Sequence, residues 1–206
     1  MTYPNAAAGL KTVYQSQIVG LIATVLLFIP LVNILAAAAL LVVFVLYMVG
    51  LNQCAKQDDG YRTAFTLVII NLVVNLLGNF IPGVIGTILS LVGDVLTLAA
   101  LYFVCTTTNR LLGNLSAPQQ VIDRGVVVWK INVICTIVTV VCELLSMIPV
   151  NSLQLLASIV SLIAAIAQIV GTVLYVLFLR DASAAERLSQ KIEAFQNGTY
   201  TFRFAE

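Results

Sequence analysis

Long apolar runs, separated by short polar or proline-bearing segments, dominate the chain. Six of them are long enough for a membrane-spanning helix, since crossing about 30 Å of hydrocarbon takes roughly 20 apolar residues. Backbone groups inside a bilayer must be satisfied within the protein, so these runs are predicted to be helices despite their many β-branched residues. The predicted spans are 13–29, 31–51, 62–81, 84–105, 126–148 and 152–179.

The predicted spans group into pairs around turns that contain proline. The central pair runs from Tyr61 to Cys105 and reverses at Ile81-Pro82-Gly83. Similar breaks at Ile29-Pro30 and Ile148-Pro149 indicate a pair on either side, because proline lacks an N–H and restricts the residue before it. We predict an all-α polytopic membrane bundle in one domain, built as a diverged triplication of a helical hairpin. Its repeats cover about 10–58, 60–113 and 124–181, and a cytoplasmic tail covers 182–206.

Two segments outside the spans have predictions of their own. Residues 106–125 are polar enough to form the longest cytoplasmic loop, and Ser116-Ala117-Pro118-Gln119 resembles a capping box at the start of a short helix. After the last span, the helical pattern continues to Phe195. Leu188, Ile192 and Phe195 fall on one side of it, which predicts an amphipathic C-terminal helix suited to the inner membrane surface.

The basic residues orient the predicted spans. All 10 lie in the N-terminal segment, in or beside the connections between pairs, or in the C-terminal tail, and the proline-bearing turns contain none. Because positive residues stay on the cytoplasmic side, both termini are predicted to be cytoplasmic and the turns to face outward.

The composition also predicts where the protein is located and which partners it has. With 61% hydrophobic and only 9% charged residues, the chain is predicted to be integral to the plasma membrane. Its net charge of +1 is spread along the inner rim and gives no support for nucleic acid as a partner. The expected partners are the lipid bilayer and a protein that meets the cytoplasmic tail.

Spans three to six carry polar side chains at helical spacing. Asn71 and Asn75 lie one turn apart in the third span. The fourth has a stripe of small residues that includes Asp94, and the fifth and sixth have polar stripes that are predicted to meet. The candidates for an intramembrane polar or proton site are Asp94, Asn71, Asn75, Glu143, Asn132 and Gln168.

Asp94 is the strongest of these candidates. It lies 12 residues after Pro82, which is about 18 Å along a helix and near the bilayer centre. An aspartate there costs about 2.5–3.5 kcal/mol, whereas one interhelical hydrogen bond returns about 0.6 kcal/mol. Asn71 is predicted to be level with it. Two interpretations stay open: a hydrogen bond that holds the hairpin together, or a proton or cation site.

The other polar residues have level partners within their own hairpin. Glu143 lies about 9 Å before the third turn, and Gln154 is predicted at the same level after it. Asn132 and Gln168 are nearly level across the last hairpin. These pairings favour a packing role, and Glu143 is expected on a different hairpin and at a different depth from Asp94.

Catalysis, cofactors and metals have little support in the sequence. It contains no His, no phosphate-binding glycine loop and no nucleophile motif, and its 4 cysteines lack paired spacing. We therefore predict no enzyme activity, no cofactor and no metal. The favoured prediction is that the chain is a non-catalytic multi-pass membrane protein that serves as an accessory, scaffold or assembly subunit. The alternative is a small-solute or proton/cation transporter or channel with its polar seam in spans three to six.

Overall fold

The computed structural model of the protein describes residues 3–26, 33–81, 83–146 and 151–196. Within these ranges, five of the six helices are long and apolar enough to cross a membrane, and α1 is the exception. The all-α prediction is confirmed, and the five apolar helices fit an integral multi-pass membrane protein. The helices are α1 Pro4–Leu26, α2 Asn33–Ala55, α3 Asp59–Phe80, α4 Val84–Asn114, α5 Gln119–Ser146 and α6 Asn151–Gln196.

The helices pack as three antiparallel pairs. In each pair, a residue near the start of the first helix faces one in the later part of the second, and a residue farther along the first helix faces one closer to the start of the second. The breaks predicted at Ile29-Pro30 and Ile148-Pro149 lie outside the described residues, and the triplication of one hairpin stays a prediction. The facing residues are Gly9 with Cys54 and Gly20 with Val43 in α1–α2, Tyr61 with Thr108 and Gly78 with Leu89 in α3–α4, and Gly125 with Phe178 and Gly171 with Ile131 in α5–α6.

Further contacts join the three pairs into a ring. α2 packs against α3, α4 packs against α5, and α6 returns to α1. Each described helix therefore lies between two neighbours along the ring. This arrangement allows side chains from every helix to face a common centre.

The best-packed part of the ring lies at the end where residues 56–58 and 115–118 connect the helices, which we name the connection end. Large side chains from several helices are fully buried there, and the Tyr61 hydroxyl shares a 2.8 Å hydrogen bond with Thr108. Toward the opposite end, which we name the turn end, the outer faces expose many large apolar side chains, as lipid contact requires. The buried set, which we name the connection core, includes Leu10, Leu51, Tyr61, Val104, Leu112, Val128, Phe178 and Leu179.

The prediction of a long loop at residues 106–125 is wrong. α4 continues to Asn114 and α5 begins at Gln119, so a short turn separates two long helices. Thr108, in the middle of the polar run, is fully buried against Tyr61 and also bonds to a carbonyl oxygen one turn earlier on α4. Tertiary packing therefore keeps this polar segment helical, where local composition alone favoured a loop.

The chain after Arg180 continues α6 without a break. With 46 residues, α6 is about 69 Å long, which is more than twice the thickness of the hydrocarbon core. Ala182 and Glu186 are buried against the bundle, whereas Leu188 and Ile192 are exposed. The side chain of Phe195 lies outside the described residues, and the placement of this helix on a membrane surface stays a prediction.

Candidate functional site

A polar cavity of about 220 Å³ lies between α4, α5 and α6. Four of the six candidate residues line it, and they come from all three helices. Hydroxyl groups of Ser90, Thr97, Thr136 and Thr139 complete much of its polar wall. We name it the acidic cavity, after the two carboxyl groups among its candidate residues: Asp94, Glu143, Asn132 and Gln168.

The two acidic side chains of this cavity belong to different helix pairs. Asp94 comes from α4 and Glu143 from α5, and they are close enough for their charges to interact. They lie on different helix pairs, as the sequence predicts, yet they line the same cavity. No basic residue is among those that line the cavity. Packing of α4 against α5 produces this convergence, which positions along a single helix do not reveal.

The predicted hydrogen bond between Asn71 and Asp94 is absent from the described part of the chain. The Asn71 amide instead donates to the Thr97 hydroxyl at 2.9 Å and accepts from the Asn75 amide at 2.7 Å. Both asparagines lie beside Gly93, where an added Cβ would come within about 3.0 Å of their side-chain atoms. Successive residues of a helix point about 100° apart, so α4 turns Gly93 toward α3 and Asp94 toward α5.

Asn132 and Gln168 both line the acidic cavity, but no hydrogen bond joins them within the described ranges. The Asn132 amide donates instead to the carbonyl oxygen of Val128, one turn earlier on α5, at 2.9 Å. The side chain of Gln154, the predicted partner of Glu143, lies outside the residues that the structure describes. The predicted Asn132–Gln168 hydrogen bond is therefore absent from the described residues, and the pairing of Glu143 with Gln154 stays a prediction.

A second cavity, of about 330 Å³, lies at the centre of the ring. We name it the central cavity, because residues from all six helices line it. It shares Thr97, Leu101 and Asn132 with the acidic cavity, so the two spaces meet at that wall. Its lining includes, in order from α1 to α6, Gln17, Phe44, Asn71, Leu101, Asn132 and Tyr175.

Sequence reasoning missed the aromatic part of the central cavity. Tyr47 and Tyr175 line it, and each lies four residues before the end of the second predicted span of its repeat. That recurring position was the available signal. The Tyr175 hydroxyl is buried and has no partner with good hydrogen-bond geometry among the described residues, although the Tyr47 side chain lies close to it.

Sequence reasoning also missed Glu186, which lies on α6 beyond the cavities. Its side chain is fully buried, and neither carboxyl oxygen has a hydrogen-bond partner in the described part of the protein. Cys54 of α2 and Tyr61 of α3 lie close enough to interact with it electrostatically. No local signal distinguishes it from the exposed charges around it, because its burial depends on helices distant in sequence.

The cysteines form neither disulfides nor a metal centre in the described ranges. All four are free and buried: Cys54, Cys105, Cys135 and Cys142. The Cys54 thiol instead points toward the carbonyl oxygen of Ala6, at 3.8 Å, inside the helix bundle. Among the described residues, no group of three or more His, Cys, Asp or Glu side chains is arranged to hold a metal ion.

The two adjacent cavities combine carboxyl groups, neutral hydrogen-bonding groups and aromatic rings inside an apolar bundle. The carboxyl groups of such a lining suit binding of a proton or cation. The aromatic rings beside them suit contact with an apolar part of a ligand. No known family matches the sequence, and comparison with curated proteins and solved structures gives no significant match either.

Proposed function

We propose that the protein is a small transporter or channel for protons or small cations, with Asp94 as the principal binding group and Glu143 beside it. The observation that carries the proposal is the convergence of these two carboxyl groups on one cavity between apolar helices. A single acidic residue at mid-membrane costs about 2.5–3.5 kcal/mol. Asp94 and Glu143 together, in a cavity lining that contains no basic residue, favour a functional explanation over simple packing.

The position of the two adjacent cavities supports a transport path. The acidic cavity meets the central cavity at Thr97, Leu101 and Asn132. Beyond Tyr175, the connection core fills the ring and separates the central cavity from the connection end. A path across the membrane would therefore need the connection core to open. The structure as a whole suits a protein with a closed and an open arrangement of that core.

The second candidate is a non-catalytic accessory, scaffold or assembly subunit. It is favoured by the polar groups between α3 and α4, where Asn71, Asn75 and Thr97 satisfy one another within the pair. In that case the polar groups hold helices together, and residues 182–206 meet a protein partner. Both proposals place the chain in the plasma membrane with cytoplasmic termini, and neither includes an enzymatic step.

Ion flux through reconstituted protein tests the first proposal. The purified protein is placed in liposomes that contain a pH-sensitive dye, and a potassium gradient with valinomycin drives proton entry. Sodium and potassium fluxes are measured with sodium- and potassium-sensitive dyes in separate liposomes without valinomycin. We expect flux above that of protein-free liposomes. Asp94→Asn should reduce it by about tenfold or more, because the amide cannot exchange a proton or neutralise a cation.

Asp123→Asn is the matched control, since Asp123 is exposed on α5 and lies outside both cavities. Its flux should equal that of the wild type. Flux that survives Asp94→Asn would refute the assigned role of Asp94. Absence of flux for every ion, with correctly folded protein, would refute transport of these ions and favour the accessory function.

A further inference from the structure

We propose that the transported cation is a small organic ammonium ion with an apolar or aromatic body. Its charged group would occupy the acidic cavity and its body the central cavity. This inference rests on the proposed transport function and specifies its substrate class. It follows from the different chemistry of two spaces that share one wall.

The acidic cavity supplies recognition of positive charge. Asp94 makes no hydrogen bond or ion pair with another described residue, and Glu143 lies within its electrostatic reach. The hydroxyl and amide groups around them can orient a ligand but cannot neutralise it. An ammonium group would supply the charge that the cavity lining lacks.

The central cavity supplies a surface for an apolar body. Phe44, Tyr47 and Tyr175 bring three aromatic rings to it, and Leu101 adds an aliphatic side chain. None of its lining residues is charged. Its volume of about 330 Å³ is at the lower end of the range for small-molecule sites, roughly 300–1,000 Å³. A bare proton or inorganic cation would make no use of this lining.

The spacing of the two parts sets the size of the ligand. Asp94 and Thr97, the nearest residue that both cavities share, lie three positions apart on α4, which corresponds to about 5 Å. A ligand with its ammonium near Asp94 and its body beyond Thr97 therefore has about 5 Å between its charge and its ring. The buried Tyr175 hydroxyl, which lacks a partner of good geometry, lies on the central-cavity side and can bond to a polar edge of that body.

Three probes test the two halves of the proposal. Benzyltrimethylammonium carries both the charge and the ring, tetramethylammonium carries only the charge, and benzyl alcohol carries only the ring. Each is titrated into the purified full-length protein in detergent by calorimetry, and competition is followed by saturation-transfer NMR. We expect benzyltrimethylammonium to bind about tenfold or more tightly than either fragment, because only this probe uses both cavities.

Two substitutions separate the contributions of charge and ring. Asp94→Asn should weaken binding of both ammonium probes by about tenfold. Phe44→Leu keeps an apolar side chain but removes the ring, so it should weaken benzyltrimethylammonium by about threefold to tenfold and leave tetramethylammonium unchanged. Phe80→Leu, at an exposed ring on α3, is the matched control. Gel filtration confirms that each variant is folded.

The outcomes distinguish this inference from the proposed function. Proton or sodium flux that depends on Asp94, together with no binding of benzyltrimethylammonium, would overturn the organic substrate and leave transport standing. Equal affinity for benzyl alcohol, or no effect of Phe44→Leu, would also overturn it. Binding with the expected pattern, but without any flux of ions or of the probe into liposomes, would support the site and refute transport.

Discussion

At the scale of single residues, direction around a helix decides which polar groups bond to one another and which face a cavity. Gly93 and Asp94 are neighbours in the chain, yet one lies beside the asparagines of α3 and the other lines the acidic cavity with α5. Asn71 is satisfied by Thr97 and Asn75. Among the described residues, Asp94 therefore lacks the structural partner that would have explained its presence in an apolar helix.

Glu186 allows a direct test at this scale. A buried polar group without a hydrogen bond costs about 1–3 kcal/mol, and Glu186 has no such partner in the described structure. Glu186→Met replaces it with an apolar side chain of similar size. We expect the free energy of unfolding in detergent micelles to rise by about 1–3 kcal/mol, measured by denaturant titration.

Arg187→Met is the control for this prediction, because the neighbouring Arg187 is exposed. Its free energy of unfolding should change by no more than about 0.5 kcal/mol. A clear loss of stability in Glu186→Met would show that the carboxyl group has a stabilising partner that the proposed packing lacks.

At the scale of helices, close approach depends on glycine where α1 crosses α2. A Cβ at Gly9 would lie 2.4 Å from the Cys54 sulfur and 2.6 Å from the Gly50 carbonyl oxygen. The backbone oxygen cannot move aside without moving α2. Small residues that allow such contact are typical of helix packing in membranes, so the crossing of α1 and α2 requires glycine at this position.

Gly9→Ala should therefore destabilise the protein. The added methyl group has to push the two helices apart, and overpacking of this kind costs about 1–3 kcal/mol. Gly113→Ala is the matched control, since a Cβ at Gly113 would meet nothing within 4 Å. Thermal unfolding in one detergent measures both variants; equal melting temperatures would contradict the α1–α2 packing.

At the scale of the whole molecule, the ring combines a packed end with an open, polar interior. The connection core gathers its buried side chains near the turns at 56–58 and 115–118. The cavities lie farther from that end, between helices whose outer faces are apolar. A closed ring of this kind needs all three helix pairs, so separate pairs would lose both the connection core and the central cavity.

The orientation of the ring in the membrane is also testable. The basic residues predict that both termini are cytoplasmic and that the turn at residues 81–83 faces outward. Alkaline phosphatase, which is active only outside the cytoplasm, should be silent when fused after Glu206 and active when fused after Gly83. Activity of the fusion after Glu206 would reverse the predicted topology.

Length and composition of local segments were enough to predict five apolar helices of membrane-spanning length and the polar residues within them, whereas α1, predicted to contain a sixth span, is the exception among the described helices. Hydrocarbon thickness and the cost of unsatisfied backbone groups act on each segment separately, so 62–81 and 84–105 could be recognised without knowledge of the rest. The same local reasoning identified Asp94 and Glu143 as unusual. It failed at 106–125, where burial of Thr108 keeps a polar segment helical.

Only the tertiary structure decided how those helices meet. The orientation of α4 and α5 about their axes places Asp94 and Glu143 at one cavity. Glu186 is buried in the bundle in which α6 packs against α1. These contacts depend on the joint packing of helices far apart in the chain, which no single periodic pattern encodes. The sequence by itself determined the five apolar helices and their polar residues, and the ring decided which of those residues share a site.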